Sequence, residues 1–263
     1  MVQSLTIATS DSGGGAGIQA DLKTFAAMGV YGVSIIVALT AQNTKEVRSI
    51  YPIDIKFIED QMDVIFEDFD ISSVKIGMLY DEKIIKVVYN NLQKYKAKNI
   101  VLDPVMISKS GAKLLQNSSI NILKELLIPL AELLTPNIPE AMELTGVDIK
   151  NINEMEMAAK LICEMGSKNV LIKGGHLKKA TITDLLYYNN KFYYFESQKI
   201  DTKNTHGTGC TYSSAIAANL AKNYDLPEAV RRAKEYVYNT IKYADQLNVG
   251  KGFGPLNHFY FIN

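Results

Sequence analysis

The sequence predicts an α/β protein with a doubly wound, mostly parallel central sheet that is flanked by helices. Short runs of β-branched and aliphatic residues alternate along the chain with segments of helical periodicity, the order expected when helices connect parallel strands. The 263 residues, 47% of them hydrophobic, are enough to bury a full core. Because no repeat, low-complexity tract or linker divides the chain, we expect a single domain over residues 1–263.

The elements follow in a regular order. Residues 5–9 form a strand pattern, which a glycine-rich loop joins to a helix pattern at 16–28 that ends at Gly29. Strand patterns at 31–39 and 47–51 are expected to pair as a small β flap. Further strands are predicted at 74–76, 100–102, 133–134 and 170–172, and helices at 55–66, 83–95, 120–127, 140–144 and 154–165. Residues 182–188 and 191–195 indicate an antiparallel hairpin around Asn189-Asn190, and helices at 208–222 and 228–243 close the domain.

Composition excludes several classes of protein. The 28 basic and 28 acidic side chains balance and form no long run of one sign, which argues against binding to nucleic acid or to an anionic membrane. Two cysteines and three scattered histidines give neither a disulfide framework nor a zinc spacing. The first residues lack a basic targeting region, and the most apolar run, 33–39, is too short to span a bilayer. We therefore expect a cytoplasmic protein.

The segment from Asp201 to Thr211 is the strongest functional signal. It joins a polar loop to a helix pattern that begins near Thr208, and backbone N–H groups in the first turn of a helix are free to bind an anion. Gly207 and Gly209 would let a phosphate approach the backbone closely, and Cys210 stands where the helix dipole favours a thiolate. The alternative is a glycine-rich connector before an apolar core helix, with Cys210 as a small buried residue.

Polar residues also follow other predicted strands, at the sheet edge where the carboxyl ends of parallel strands form a binding crevice. They are Asp11-Ser-Gly-Gly-Gly-Ala-Gly17, Gly77-Met78, Asp103-Pro-Val105, Thr135-Pro-Asn137 and Lys173-Gly-Gly-His176. Two of them have simpler explanations, since Asn137 and Glu140 have the spacing of a capping box and Lys173 stands at the end of a strand. Ile18 breaks the dinucleotide fingerprint, and no Lys-Ser/Thr pair follows a glycine-rich loop, which excludes a P-loop.

Together these residues supply the groups that an enzyme needs for phosphoryl transfer. They are oxygen ligands for magnesium, a lysine for polyphosphate and glycine N–H groups that bind an anion. They also resemble the hydroxymethylpyrimidine and phosphomethylpyrimidine kinases of thiamine biosynthesis. The matching segments run in order between Leu5 and about Gly254. They are Asp11-x3-Gly-Ala-Gly-Ile-Gln-Ala-Asp21, Ala41-Gln-Asn-Thr44, Lys75-Ile-Gly-Met78, Asp103-Pro-Val-Met106, Thr135-Pro-Asn-x2-Glu140, Lys173-Gly-Gly-His176 and Asn204-Thr-His-Gly-Thr-Gly-Cys210.

The resemblance implies a ribokinase-like fold, a requirement for ATP and Mg²⁺, and a homodimer whose flap covers the pyrimidine. Together with the residue chemistry described above, it assigns residues to four groups. Those expected at the pyrimidine are Gln42, Met78, Asp21, Val105 and Thr9; those at the nucleotide are Lys173, Thr205 and Asn137; those at magnesium are Glu140, Asp103 and Asn137; and the catalytic group is Cys210 with Gly207, Thr208 and Gly209. Cys210 would accept the proton of the substrate hydroxyl while the glycine amides hold the charge of the transferring phosphoryl group.

Two positions depart from the family pattern, Thr9 and Gly13, where the family usually has Gly and Ser respectively. Thr9 adds a side chain on the substrate side. Two alternatives remain open at this point. One is a pyridoxal or pyridoxine kinase, although such relatives carry a second cysteine after Asp-Pro-Val-Met, where this chain has Ser108. The other is a catalytically silent pyrimidine-binding protein.

Overall fold

A nine-stranded sheet organises the parts of the chain that the computed structural model describes, residues 1–106, 117–176 and 181–262. The strands are β1 (Gln3–Asp11), β2 (Tyr31–Gln42), β3 (Val47–Pro52), β4 (Ile71–Ile76), β5 (Ile100–Leu102), β6 (Leu133–Leu134), β7 (Val170–Ile172), β8 (Thr181–Tyr188) and β9 (Lys191–Gln198). The helices are α1 (Gly17–Ala27), α2 (Ile55–Asp68), α3 (Glu82–Lys94), α4 (Asn117–Ile122), α5 (Ile138–Thr145), α6 (Ile152–Glu164), α7 (Thr208–Ala221) and α8 (Leu226–Lys242).

The strand order is β3-β2-β1-β4-β5-β6-β7-β8-β9. Within it the six neighbouring strands β2, β1, β4, β5, β6 and β7 pair in parallel. This confirms the predicted doubly wound, mostly parallel sheet. The chain moves outward from β1 through β2 to β3 and then returns to the other side of β1 with β4. The order therefore reverses between β1 and β4, and in such sheets ligands bind beyond the carboxyl ends of the strands at the reversal.

The antiparallel pairs lie at the two edges of the sheet. The carboxyl-terminal part of β2 pairs with β3, as the predicted flap requires, and the register joins Leu39 to Tyr51. At the other edge β8 and β9 form the predicted hairpin. Its turn residues Asn189 and Asn190 both have positive φ, 49° and 58°, as a two-residue turn that follows the twist of the strands demands.

Two hydrophobic cores cover the two faces of the sheet. One contains apolar side chains of α2, α3, α5 and α6, and the other contains those of α1, α7 and α8. Helix α7 is the central helix of its face, because it packs on β1, β4 and β5 and also against α1 and α8. Its small residues, among them Ala215, Ala217 and Ala218, are fully buried and allow this close approach. The fold thus holds the start of α7 at the carboxyl edge of the sheet.

One helix differs from its prediction. The expected helix at 120–127 is α4 followed by a π-helical turn, Leu123–Leu127, and a 3₁₀ turn, Ile128–Leu130. Pro129 lacks the N–H that another α-helical turn would need, so regular helix ends before it. In the described ranges no helix is long and apolar enough to cross a membrane.

Candidate active site

A cavity of about 850 Å³ opens beyond the carboxyl ends of β1, β4 and β5, where the strand order reverses. It is lined by almost every residue that the sequence predicted for the site. These are Thr9, Gln42, Met78, Asp103, Val105, Asn137, Glu140, Lys173, Thr205, Gly207, Thr208, Gly209 and Cys210. The volume is within the usual range for a small-molecule site. Segments spread over about 200 residues of sequence therefore meet in one place, as the predicted sheet edge requires.

Asp21 is the exception, because its side chain is fully buried and does not line the cavity. Both of its carboxylate oxygens accept hydrogen bonds from Lys75 Nζ, at 2.9 and 2.8 Å. Thr6 Oγ1 and Ser214 Oγ complete its contacts, at 2.6 and 2.8 Å. Asp21 is expected next to the pyrimidine, but the structure encloses its side chain in protein, outside the cavity lining. The Asp21 carboxyl group on the buried face of α1 is instead held by Lys75, which itself reaches the cavity wall.

The N-termini of α1 and α7 both lie in the cavity wall. Helix α7 begins after Gly207, whose φ is 86°, and no side chain caps its first turn in the described residues. A Cβ at Gly207 would lie 1.8 Å from the carbonyl oxygen of Gly15, and one at Gly17 would lie 2.2 Å from that of Thr9. Glycine is thus required at both helix starts. The N–H groups at the start of α7 are the ones that the sequence predicted to bind an anion.

Cys210 is in the first turn of α7, and the N–H of Gly17 is directed at its thiol. Burial raises the pKa of this thiol to about 11, although the charge of Lys75 and the Gly17 N–H act to lower it. The expected acidification by the helix N-terminus is therefore wrong for the protein without substrates. Desolvation, together with the carboxylates of Asp21 and Asp103, outweighs the charge of Lys75 and the Gly17 N–H.

Lys173, Asp103 and Glu140 form the charged part of the site. Lys173 Nζ lies 2.8 Å from Asp103 Oδ1, and both side chains are largely buried. Burial acts to lower the pKa of Lys173, but the carboxylates of Asp103 and Glu140 more than offset it and raise that pKa. Gly209 is next to this ion pair, since a Cβ there would lie 3.3 Å from Asp103 Oδ2. A lysine cation is thus held where the cavity meets the start of α7.

Glu140 has two structural roles. It forms a capping box with Asn137: Glu140 Oε2 accepts from the Asn137 N–H at 2.8 Å, and Asn137 Oδ1 accepts from the Glu140 N–H at 2.9 Å. Yet Glu140 also lines the cavity, and burial raises the pKa of its carboxyl to about 7, against the opposing charge of Lys173. An acid held so far from its ordinary pKa is typical of a functional site. The capping interpretation is confirmed, and it leaves one oxygen of Glu140 outside the capping box.

The residues fit a magnesium–nucleotide complex by the chemistry of their donors. Within residues 1–106, 117–176 and 181–262, no group of three or more His, Cys, Asp or Glu side chains is placed to hold a metal ion alone. Two carboxylates, Asp103 and Glu140, and the amide of Asn137 lie in the cavity wall. Magnesium is commonly held by one or two carboxylates together with phosphate oxygens and water, so this donor set suits a metal that arrives with a polyphosphate.

The residues predicted for the pyrimidine also line the cavity. Met78 and Val105 add apolar side chains to its wall, and Gln42 lines it at the end of β2. Thr9 is almost fully buried, and its hydroxyl donates to the Met78 carbonyl at 3.1 Å. The Thr9 side chain is therefore satisfied by the backbone beside it and adds its methyl group to this wall.

Sequence reasoning gave no role to three other residues that the structure places at the site, Asp11, Lys75 and His206. All three lie within the quoted motifs, but none has a spacing that indicates a contact partner. Asp11 holds the glycine-rich loop by accepting from the N–H groups of Gly13 and Ala16, both at 2.8 Å. An Asp directly before a glycine run is a local signal for this kind of turn and could have indicated it.

Known proteins are similar to this chain in sequence and in fold. The sequence matches the phosphomethylpyrimidine kinase family over residues 11–257. It is 47% identical to the hydroxymethylpyrimidine/phosphomethylpyrimidine kinase of Rhizobium meliloti, over 97% of this chain and 96% of that one. It is 48% identical to the thiamine biosynthesis bifunctional protein ThiED of Geobacter sulfurreducens over 97% of this chain, which spans only 51% of that longer protein.

Among solved structures, an ADP complex of Bacillus subtilis pyridoxal kinase has a TM-score of 0.91 to this chain. The two are 38% identical, and the match covers 99% of this chain and 98% of that one. The likeness confirms the predicted ribokinase-like fold. By its sequence over nearly its full length, this chain belongs to the phosphomethylpyrimidine kinase family and is a phosphotransferase.

Proposed function

We propose that this chain is a one-domain, ATP-dependent kinase that phosphorylates 4-amino-5-hydroxymethyl-2-methylpyrimidine and then its monophosphate, in thiamine biosynthesis. The observation that carries the proposal is that three groups line one cavity: the uncapped start of α7 with Cys210, the Lys173–Asp103–Glu140 group, and Gln42. Phosphoryl transfer requires a phosphate site, a charge-neutralising group and an acceptor site, and the cavity supplies all three.

In this proposal the polyphosphate of ATP lies along the start of α7. Lys173, Thr205 and Asn137 would contact the nucleotide, and the N–H groups of Gly207, Thr208, Gly209 and Cys210 would hold the transferring phosphoryl group. Magnesium, when bound, would neutralise charge on the phosphate oxygens. The chain's own contribution is to place oxygen donors beside it, namely Glu140, Asp103 and Asn137. The buried Lys173–Asp103 pair keeps these groups in position.

The hydroxymethyl oxygen of the substrate would attack the γ-phosphorus in line, and the backbone amides would stabilise the charge on its equatorial oxygens. Cys210, in the first turn of α7, would take the hydroxyl proton as its thiolate, which has to form once the substrates are bound. With a thiol pKa of about 11, Cys210 is protonated at neutral pH in the protein without substrates. A loose transition state needs little help from a base, so the amides carry the larger share of catalysis in this proposal.

The likeness to a pyridoxal kinase supports one alternative acceptor, since pyridoxal also carries a hydroxymethyl group on an aromatic ring. Sequence identity favours the pyrimidine, at 47% to the Rhizobium enzyme against 38% to the pyridoxal kinase. Ser108, the position that separates the two groups in the sequence, lies outside the described residues. A silent binding protein is the weaker alternative, because Cys210, Glu140 and the glycines all line the cavity.

We further propose a homodimer in the cytoplasm. The outer edge of β3 has no strand beside it in the described chain, and the adjacent Tyr51 is 70% exposed, which suits a second copy at the flap. Both cysteines are free thiols, which suits a reducing compartment. Sedimentation equilibrium measures the oligomeric state directly, and a monomer at micromolar concentration would contradict the proposed homodimer.

One assay decides among the candidate activities. ATP consumption is measured side by side with hydroxymethylpyrimidine, its monophosphate and pyridoxal, with Mg²⁺ present. We expect turnover with both pyrimidines and a much lower kcat/KM with pyridoxal. Preference for pyridoxal would replace the proposal with the pyridoxal alternative, and no turnover with any of them, despite binding, would favour the silent protein.

A further inference from the structure

A hydrogen-bonded cluster next to Gln42 joins three elements that are far apart in sequence. His206 Nε2, on the loop before α7, lies 2.9 Å from Asp11 Oδ2 at the end of β1. The same nitrogen lies 3.1 Å from the carboxamide of Gln42 at the end of β2. All three side chains line the cavity, and Asp11 is almost completely buried. The orientation of the Gln42 amide therefore depends on which partner of His206 Nε2 receives its proton.

Asp11 must be the group that accepts the hydrogen bond from His206 Nε2. Burial acts to raise the pKa of its carboxyl, but the hydrogen bond and charge of His206 and the N–H groups of Gly13 and Ala16 more than offset this and lower that pKa. The ionised carboxylate can only accept, so His206 Nε2 carries a proton and donates it to Asp11. This holds for the neutral ring and for the imidazolium, because both carry the Nε2 proton that Asp11 requires.

The group of Gln42 that faces His206 must then be an acceptor, the carboxamide oxygen. The contact between Gln42 and Thr40, on the other side of the amide, leads independently to the same orientation. Thr40 Oγ1 donates its single proton to the Ser10 carbonyl at 2.9 Å, so only lone pairs are left toward Gln42 at 3.4 Å. The group facing Thr40 must therefore be the NH₂.

The oxygen and nitrogen of a carboxamide have nearly the same shape, and the hydrogen-bond network decides between them. With the nitrogen toward His206 and the oxygen toward Thr40, donor would face donor and acceptor would face acceptor. A rotation of 180° about Cγ–Cδ of Gln42 corrects both pairs at once. Two neighbours thus fix one orientation, and the amide keeps one free N–H and one free lone pair for the cavity.

We propose that Asp11 and His206 act as positioning residues that lock the Gln42 carboxamide and so make the enzyme select a 4-aminopyrimidine over its 4-oxo counterpart. The inference rests on the proposed function. An aminopyrimidine edge presents a ring acceptor beside an amine donor, whereas the oxo form presents a ring N–H beside a carbonyl. A locked carboxamide can pair fully with only one of these edges in a given pose, and a freely rotating one can pair with either.

The test compares the 4-amino substrate with its 4-oxo analogue in the wild type, His206→Leu, His206→Gln and Gln42→Leu. The measured quantity is the ratio of the two kcat/KM values. We expect His206→Leu to lower the preference for the amine about tenfold to a hundredfold, mainly through KM. His206→Gln should keep most of the preference for the amine, since the NH₂ of the new glutamine can donate to both Asp11 and the Gln42 oxygen. Gln42→Leu should abolish the preference whatever residue occupies position 206.

A purely structural role for His206 would give a different pattern. His206→Leu would then reduce both kcat/KM values by the same factor, leaving the ratio unchanged, or His206→Gln would fail to restore it; either result overturns the proposal. Equilibrium binding of the two pyrimidines is also measured without ATP, because it tests the orienting role of His206 independently of turnover. Selective binding that depends on His206, without turnover, would refute the proposed kinase and keep the orienting role.

Discussion

Asp21 and Lys75 form an ion pair that is completely enclosed by protein, with Nζ 2.8 and 2.9 Å from the two carboxylate oxygens. Because Ser214 of α7 also donates to Asp21, the pair links α1, β4 and α7. These elements carry Gly17, Met78 and Cys210 to the cavity. The ion pair therefore lies directly behind the site and fixes the relative positions of its two helix N-termini.

Removing the charge of Asp21 should destabilise the protein strongly. Asp21→Asn would leave Lys75 buried without a counter-ion, and breaking such a pair costs about 3–5 kcal/mol. Urea unfolding measures the loss. Asp63→Asn is the matched control, because the Asp63–Lys94 pair is exposed to solvent and should contribute less than about 1 kcal/mol. Equal losses for the two variants would show that Asp21 and Lys75 are not coupled as the geometry indicates.

Cys210→Ala should lower turnover strongly and leave the fold intact. The backbone N–H groups at the start of α7 remain, but the proton acceptor is lost, and general-base help is typically worth about 10²–10⁴-fold. We expect the effect in kcat more than in KM. Cys163→Ala is the control, since Cys163 packs against the core outside the cavity and should change neither value. Unchanged turnover in Cys210→Ala would leave the amides as the sole catalytic device.

The thiol of Cys210 should react slowly with iodoacetamide at neutral pH. With a pKa of about 11, only on the order of 10⁻³ of it is thiolate at pH 8. In a Cys163→Ala background, the alkylation rate should rise about tenfold per pH unit up to about pH 10. If the alkylation rate of the substrate-free protein levelled off below pH 9, the raised pKa of Cys210 would be contradicted.

Glu140→Gln should keep the capping box but lose the charge that magnesium needs. Activity should fall, and more Mg²⁺ should be required to restore it. The pKa of Glu140, raised to about 7, adds a pH signature. A carboxyl whose pKa is raised on folding stabilises the protein fully below its ordinary pKa near 4.5, and this contribution is lost as the pH rises toward 7.

The difference between the stability curves of Glu140→Gln and wild type isolates this residue. Between pH 4.5 and 7 the wild type should lose about 3 kcal/mol relative to the variant, and the difference should stay constant above that range. A flat difference curve, with activity unchanged at limiting Mg²⁺, would reduce Glu140 to its capping role.

Thr9→Gly should test whether the departure from the family pattern shapes the pocket. The change removes the hydrogen bond to the Met78 carbonyl and a methyl group from the cavity wall, and it adds backbone freedom in β1. We expect a loss of about 1–2 kcal/mol in stability and a higher KM for the pyrimidine with little change in kcat. Thr9→Ser, which keeps the hydroxyl, is the control. An unchanged KM in both variants would show that Thr9 does not contact the substrate.

Much of this arrangement follows from local sequence. The alternation of strand and helix patterns predicts the sheet, and the glycines before Cys210 predict an exposed helix start at its edge. The resemblance then assigns the side chains, and all of them except Asp21 line one cavity.

The features that could not be predicted from local sequence depend on residues that are far apart in the chain. Asp21 is one turn into an amphipathic helix, and nothing near it in sequence shows that Lys75 lies opposite, 54 residues later. The pKa of Cys210 also depends on packing, because the helix dipole is a local property whereas burial is set by the whole fold. Hydrogen bonds between remote loops, such as that from His206 to Asp11, have no sequence periodicity at all.

Those remote contacts have a consequence for how the protein becomes active. Asp11 and His206 are 195 positions apart, and the N–H of Gly252, which donates to Thr44 Oγ1, joins positions 208 apart. Bringing such distant segments together carries a large loop-closure entropy, so contacts of this range form late in folding. After dilution from denaturant, helical circular dichroism should therefore recover before ligand binding does. During synthesis, the cavity cannot be complete until its last lining residue, Ile241, has left the ribosome.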